Sequence, residues 1–164
     1  MGGHCKTTII ALVYIWLSVG CASHDVSMHD QNRIADIDTW HISFNAELEG
    51  VERSLNNVEQ SPLKSRIALF LKCDLQLRDN IILYLKSKHQ INVTKDRTTA
   101  LGYIRTKALC YSDEYSKVDV RIYDQEKTLL AEIEINNSRH EFAKDKNEFA
   151  EYCADVIAQV ISKQ

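Results

Sequence analysis

Residues 66–95, RIALFLKCDLQLRDNIILYLKSKHQINVTK, decide the fold. Ile67, Leu69 and Leu71 alternate, and Ala68 and Phe70 make the other face apolar too, the pattern of a strand covered on both sides. Asp74 then stands where a helix wants its N-cap. Residues 75–88 place Leu75, Ile81, Ile82 and Leu85 on one helical stripe. Ile91 and Val93 alternate again in INVTK. The expectation is strand, helix, strand, a βαβ-like unit with residues 66–72 as a central strand.

Downstream the period is two. Residues 100–111 set Ile104, Thr106, Ala108 and Cys110 against Tyr103, Arg105, Lys107 and Leu109. Residues 118–123 (VDVRIY) and 129–135 (LLAEIEI) alternate as cleanly, joined by a turn at 124–127 that holds no glycine and therefore suits a four-residue loop on a type I turn. Residues 141–162 form a long amphipathic helix with Phe142, Phe149, Val156 and Val160 on its buried stripe and Cys153 and Ile157 beside them. Upstream, Trp40, Ile42 and Phe44 mark a short strand. Leu48, Val51, Leu55 and Val58 mark a helix over 46–58 that ends at Ser61-Pro62. The fold class is α+β: a mainly antiparallel sheet of about five or six strands with helices packed on it, including the long C-terminal one.

The chain has 164 residues, 45 % hydrophobic and 26 % charged, with 5 glycines and 1 proline. That is one globular domain, neither low-complexity nor disordered. A formal net charge of −3 gives no basic footprint for nucleic acid.

Residues 1–20 read as an export signal. Lys6 is their one charge, and residues 7–19 (TTIIALVYIWLSV) form an uncharged run of thirteen. That suits a signal core and is too short to span a bilayer. Ser18-Val19-Gly20-Cys21 resembles the bacterial lipobox, in which the cysteine is lipidated and becomes the new N-terminus. The resemblance implies a membrane anchor of several acyl chains at Cys21, and Ala22 after it implies the outer membrane with the domain facing the periplasm. Ser18 stands where leucine is usual, and ordinary cleavage near Gly20 is the other reading. Cleavage before Cys21 leaves 144 residues, with 19 basic and 23 acidic. Residues 21–35 are polar at their start and read as a flexible tether, leaving 36–164 as the single domain.

Of the five cysteines, Cys73, Cys110 and Cys153 belong to the mature domain. In an oxidising compartment one bridge can form among them, and Cys73–Cys110 is the expected pair because both lie on or beside strands. Cys153 reads as a small buried hydrophobe. No CxxC or Cys/His zinc spacing occurs, so neither a metal nor a cofactor is expected.

The run from RIALFLK through TTALGYIRTKA, with VDVRIYDQEKTLLAEIEI and the helix ending in ADVIAQVISKQ, is similar to the α/β domain of bacterial envelope lipoproteins of the CsgG and TolB N-terminal-like type. DIDTWHISF (36–44) resembles the first strand of a related group of small lipoproteins. The hairpin departs from the pattern, with Gln125-Glu126-Lys127 where glycine is usual. The resemblance implies a binding or assembly role in the cell envelope.

No GxSxG, HExxH, P-loop or GxGxxG motif occurs, and no catalytic residue is assigned. The expected interaction surface is Tyr103, Arg105, Lys107, Tyr111, Arg121 and Tyr123, residue types that dominate interface hot spots. Whether these side chains face solvent or lie under a helix stays open on sequence grounds. The function expected is a lipid-anchored envelope protein that binds another protein or itself. The alternatives are an exported thiol-dependent enzyme using Cys73 or Cys110 with His41, His89 or His140 as base, and a lipoprotein that neutralises a toxin.

Overall fold

The computed structural model describes residues 23–44, 62–111, 114–137 and 145–162, with the backbone alone at 44, 62–71, 110, 111 and 114. In order they form β1 (Ser23–Met28), α1 (Gln31–Ala35), β2 (Trp40–Phe44), α2 (Pro62–Ser87), a 3-10 turn (Arg97–Thr99), β3 (Gly102–Tyr111), β4 (Glu114–Asp124), β5 (Leu129–Asn136) and α3 (Lys146–Ile161). The signal segment 1–20, Cys21, the helix expected over 46–58, His140, Phe142 and the side chains of Cys110 and Tyr111 lie outside what is described.

The alternating strands behave as their period dictates. Ile104, Thr106 and Ala108 of β3, Val118, Val120 and Ile122 of β4, and Ala131, Ile133 and Ile135 of β5 are all buried on one face. The sheet order is β1-β5-β4-β3-β2. Every pairing is antiparallel except β2 with β3, where Trp40 to Phe44 run parallel to Gly102 to Thr106. The architecture is α+β with a mostly antiparallel sheet, as the alternation predicts.

Residues 66–72 are helical, and the central strand expected there does not exist. They belong to α2, which runs unbroken for 26 residues. A continuous apolar run carries no period that separates strand from helix. Length and breakers decide it. Pro62 sits at the first helical position, where its missing N–H costs nothing, and neither proline nor glycine follows before Ser87. Gln90, in the left-handed region at φ 56, lies beyond the end. The βαβ-like unit falls with it, since residues 91–95 make one parallel bridge, Val93 to Trp40, in place of a strand.

Asp74 is correspondingly no N-cap. It is buried in mid-helix, and its Oδ1 accepts a hydrogen bond of 2.9 Å from the Ala108 N–H. A carboxylate from the covering helix thus satisfies the Ala108 donor, two residues past Thr106, the last β3 residue for which a β2 partner is described.

The segment read as a tether is ordered from Ser23. Residues 23–28 pair along β5 from Ser23 opposite Asn136 to Met28 opposite Ala131. Asp30 caps α1 by accepting from the Arg33 N–H at 3.1 Å, and Ile34 enters the core. The polar composition that suggested a linker belongs to an edge strand whose six residues are all exposed.

α2 and α3 lie side by side on the apolar face. α2 sits over β2 and β3, and α3 over β4. Leu77, Ile81 and Leu85 from α2 meet Phe149, Cys153, Val156, Ile157 and Val160 from α3 in one core. α3 starts at Lys146, later than the 141 expected, because Asp145 accepts from the N–H groups of Asn147 and Glu148 and caps it there. Lys88 joins both Glu151 and Asp155, and His89 Nε2 lies 2.7 Å from Asp155, tying the end of α2 to α3.

Trp40 is buried and stands directly opposite Gly102. A Cβ on Gly102 would meet the Trp40 ring at 2.5 Å and Ile37 at 2.9 Å. Gly102→Ala should therefore destabilise the domain by about 1–3 kcal/mol. Chemical denaturation of the two proteins side by side checks this, and an unchanged midpoint would refute the packing argument.

Candidate functional site

Both long helices occupy one side of the sheet, so the opposite side is bare among the described residues. Tyr103, Arg105, Lys107 and Leu109 of β3 face it, with Arg121 and Tyr123 of β4. Arg105, Lys107 and Arg121 are exposed, and Tyr103 and Tyr123 are half-buried. Of the two orientations open on sequence grounds, these five residues take the one facing away from the helices. Tyr111 belongs to the same strand, but its side chain is not described.

The bare face divides electrostatically. On the β1–β5 side, Asp25 stands opposite Glu134. Lys117 Nζ relieves that repulsion, 2.7 Å from Glu134 and 3.1 Å from Asp119. The Lys117 hydrogen bond, with one from Asn136, holds the Glu134 carboxyl below its usual range. Arg121 stands opposite Arg105 and reaches Glu132 at 2.9 Å. Tyr123 and Glu132 together raise the Arg121 guanidinium above its ordinary value.

The β2–β3 side is different. A cleft of ≈ 270 Å³ is lined by Ser43, Arg97, Tyr103, Arg105, Tyr123 and Lys127. Tyr103 and Tyr123 are register partners at its floor. Arg97 lies over the Tyr103 ring at 5.5 Å, and Arg105 over the Tyr123 ring at 5.7 Å, within cation–π range. Among the described residues, Arg97, Arg105, Lys107 and Lys127 form no ion pair with a carboxylate.

Local sequence builds this cleft. Asp96 caps the 3-10 turn, accepting from the Thr98 N–H at 2.9 Å and the Thr98 hydroxyl at 2.7 Å. The Tyr103 hydroxyl donates to the Arg97 carbonyl at 3.2 Å, closing the turn onto β3. At the other rim, the Lys127 N–H bonds to the Asp124 carbonyl and the Asp124 carboxylate accepts from the Thr128 N–H. Asp124 is itself held by Arg33. This turn leaves Lys127 at φ 67, a left-handed conformation that glycine adopts at lower cost. Sequence reading saw the turn and missed Arg97 and Lys127, since neither lies on an alternating strand.

A larger cavity of ≈ 820 Å³ opens between β2 and α2, lined by residues including His41, Ile82, Leu83, Val93 and Thr94. His41 Nδ1 is 3.2 Å from the Thr94 carbonyl. No second titratable group approaches it with nucleophile geometry among the described residues.

The cysteines are placed unequally. Cys73 is disulfide-bonded, so its sulfur is no thiolate. Cys153 is free and fully buried, and burial pushes its thiol far above the ordinary range. Burial likewise pushes the Tyr115 hydroxyl up to about 12, with Cys153 and Asp74 adding to the shift. His89, considered as a base, is bound to Asp155 at the helix ends.

No family model matches the sequence, and no curated protein matches it. Among solved structures the chain is similar to a DUF4136 family protein from Bacteroides thetaiotaomicron, 6% identical, covering 87% of this chain and 98% of that chain at a TM-score of 0.45. It is also similar to a PelC dodecamer from Paraburkholderia phytofirmans, 10% identical, covering 87% of this chain and 100% of that one at a TM-score of 0.39. No CsgG- or TolB-type domain is among these neighbours, and residues 66–72, part of that resemblance as a strand, are helical.

The Asp96 cap carries a pH dependence. Hydrogen bonds from the Thr98 hydroxyl and N–H hold its carboxyl below the usual value, with His41 adding slightly. A depressed folded value means the contribution is present above the unfolded Asp value of about 3.9 and is lost as pH falls through the folded one. Asp96→Ala should lower Tm at neutral pH, and the gap to the parent should narrow as pH falls below the unfolded Asp value of about 3.9. Parallel Tm curves across that range would exclude this role for Asp96.

Proposed function

We propose that this chain is an exported envelope lipoprotein, acylated at Cys21 in the outer membrane and facing the periplasm, that holds a protein partner on the uncovered face of its sheet. It works by binding, without a catalytic step. The observation that carries the reading is the sheet face left bare among the described residues, where Arg105 and Lys107 are exposed and have no carboxylate partner while Lys117 and Arg121 do.

Chain geometry adds an orientation. Ser23 opens β1 two residues after Cys21, a reach of about 7 Å. A lipid on Cys21 would hold the end of the sheet marked by Ser23, Asn136, Lys117 and Leu109 against the bilayer. The cleft between Tyr103 and Tyr123 lies six residues further along β3 and β4, about 20 Å away. It would face away from the membrane, where a periplasmic partner approaches.

The thiol-enzyme alternative finds no reactive sulfur among the described side chains, because Cys73 is oxidised and Cys153 is buried. We also propose that Cys73 is joined to Cys110. The Asp74 carboxylate accepts from the Ala108 N–H at 2.9 Å, and the Tyr115 hydroxyl, on the register partner of Cys110, donates to the Cys73 carbonyl at 3.2 Å, which sets Cys73 near the stretch of β3 that carries Cys110. Proteolysis without reduction should yield a linked pair of peptides bearing Cys73 and Cys110. A pair linking Cys73 to any other cysteine would refute it.

The anchor and the docking face are tested separately. Intact mass of the membrane-extracted protein should begin at Cys21 and include a diacylglyceryl group, and a lipid-free mass removes the anchor. A photo-crosslinking residue placed at Lys107 in cells should capture a discrete partner, whereas one at the exposed Lys86 on α2 should not. Equal capture at both positions would remove the docking face.

A further inference from the structure

The cleft of ≈ 270 Å³ and the strand beside it have a charge pattern that specifies more than a generic contact. Arg97, Arg105 and Lys127 converge on it from the 3-10 turn, β3 and the β4–β5 hairpin. Each guanidinium rests on a tyrosine ring at 5.5 or 5.7 Å. Stacking fixes the planes without satisfying the N–H donors at their edges. Lys107 continues the row along β3, on the same face as Arg105 and about 7 Å away. An extended peptide spaces alternate side chains by the same distance. The two tyrosine rings are occupied by arginine, so they offer no open platform for a stacked base, and the chain as a whole is negative.

A second observation points the same way. Lys127 holds φ 67 at a turn position where glycine fits without strain. The hairpin turn closed by the Lys127 N–H on the Asp124 carbonyl sets that angle, and with a lysine rather than a glycine there it delivers an ammonium group to that rim.

We propose that this groove takes an extended acidic peptide of the partner protein, with alternate carboxylates on Arg105 and Lys107 and one carboxylate seated between Arg97, Arg105 and Lys127. The inference rests on the reading of the uncovered face as a docking surface and needs no lipid anchor.

The probe is dye-labelled hexaglutamate, titrated with the full folded domain and read by fluorescence anisotropy. Binding should saturate and weaken with added salt. The double variant Arg105→Gln/Lys127→Gly should weaken it by about tenfold or more, as loss of two charge-assisted contacts implies. Lys86→Gln should leave it within about twofold, as expected for an exposed charge remote from the groove. Lys127→Gly alone should weaken binding while Tm stays equal or rises, because glycine relieves the left-handed strain; this separates loss of contact from loss of fold. Absence of hexaglutamate binding, an equal loss in Lys86→Gln, or tighter binding of oligothymidylate or inorganic phosphate would each overturn the proposal. Crosslinks at position 107 with no hexaglutamate binding would leave the docking face standing and remove the acidic peptide.

Discussion

Because Ile104, Thr106, Ala108, Val118, Val120, Ile122, Ala131, Ile133 and Ile135 all emerge on the same side of three consecutive strands, the sheet has one surface that must leave water. Two helices cover it, and they are joined to each other as well as to the strands. Leu77, Ile81 and Leu85 face Phe149, Cys153 and Ile157, while Lys88 and His89 close the far end on Glu151 and Asp155. Once both helices are committed to that side, no described element covers the odd-numbered side chains of β3. The candidate interface is thus a consequence of how the core is built.

The same logic explains what the amino-acid sequence reveals. A half-buried strand announces itself, since a shift of one residue would exchange its two faces. β3, β4, β5 and α3 are legible for that reason, and so is the set Tyr103, Arg105, Lys107, Arg121 and Tyr123. RIALFLK is illegible because apolar residues at every position fit a buried strand and a buried helix equally. The deciding information is the absence of a breaker between Pro62 and Ser87, a property of 26 residues. Asp74 compounds the error. A carboxylate before an apolar run looks like a cap, and only the contact between the helix and β3 shows that it serves Ala108. β1 is lost for the opposite reason: an exposed edge strand has too little apolar patterning to separate it from a linker.

Trp40 links the core to the cleft. Its ring lies against Gly102, its N–H bonds to the Asn92 carbonyl at 2.9 Å, and its carbonyl accepts from Thr94 at 2.8 Å. Ring and backbone of this one residue thereby fix the parallel start of β2 on β3 and bring the segment after α2 alongside. That segment continues directly into the Asp96 turn, which sets Arg97 over Tyr103. Neither Arg97 nor Lys127 has a periodic signature, because both are positioned by turns whose geometry comes from tertiary contacts.

The strength of the cleft as a site lies in the contrast across a single sheet face. An exposed cation by itself contributes little to stability and implies nothing. On the β4–β5 side, however, Lys117 meets Asp119 and Glu134, and Arg121 meets Glu132. On the β2–β3 side, Arg97, Arg105, Lys107 and Lys127 stand without carboxylates among the described residues, one of them at a backbone angle that costs about 1 kcal/mol. The two tyrosine rings return part of that cost through their contacts with Arg97 and Arg105, but the N–H donors at the guanidinium edges gain no carboxylate among the described residues. An incoming anionic chain would use them, because the groove's donors are already oriented and no ion pair among the described residues must first be broken.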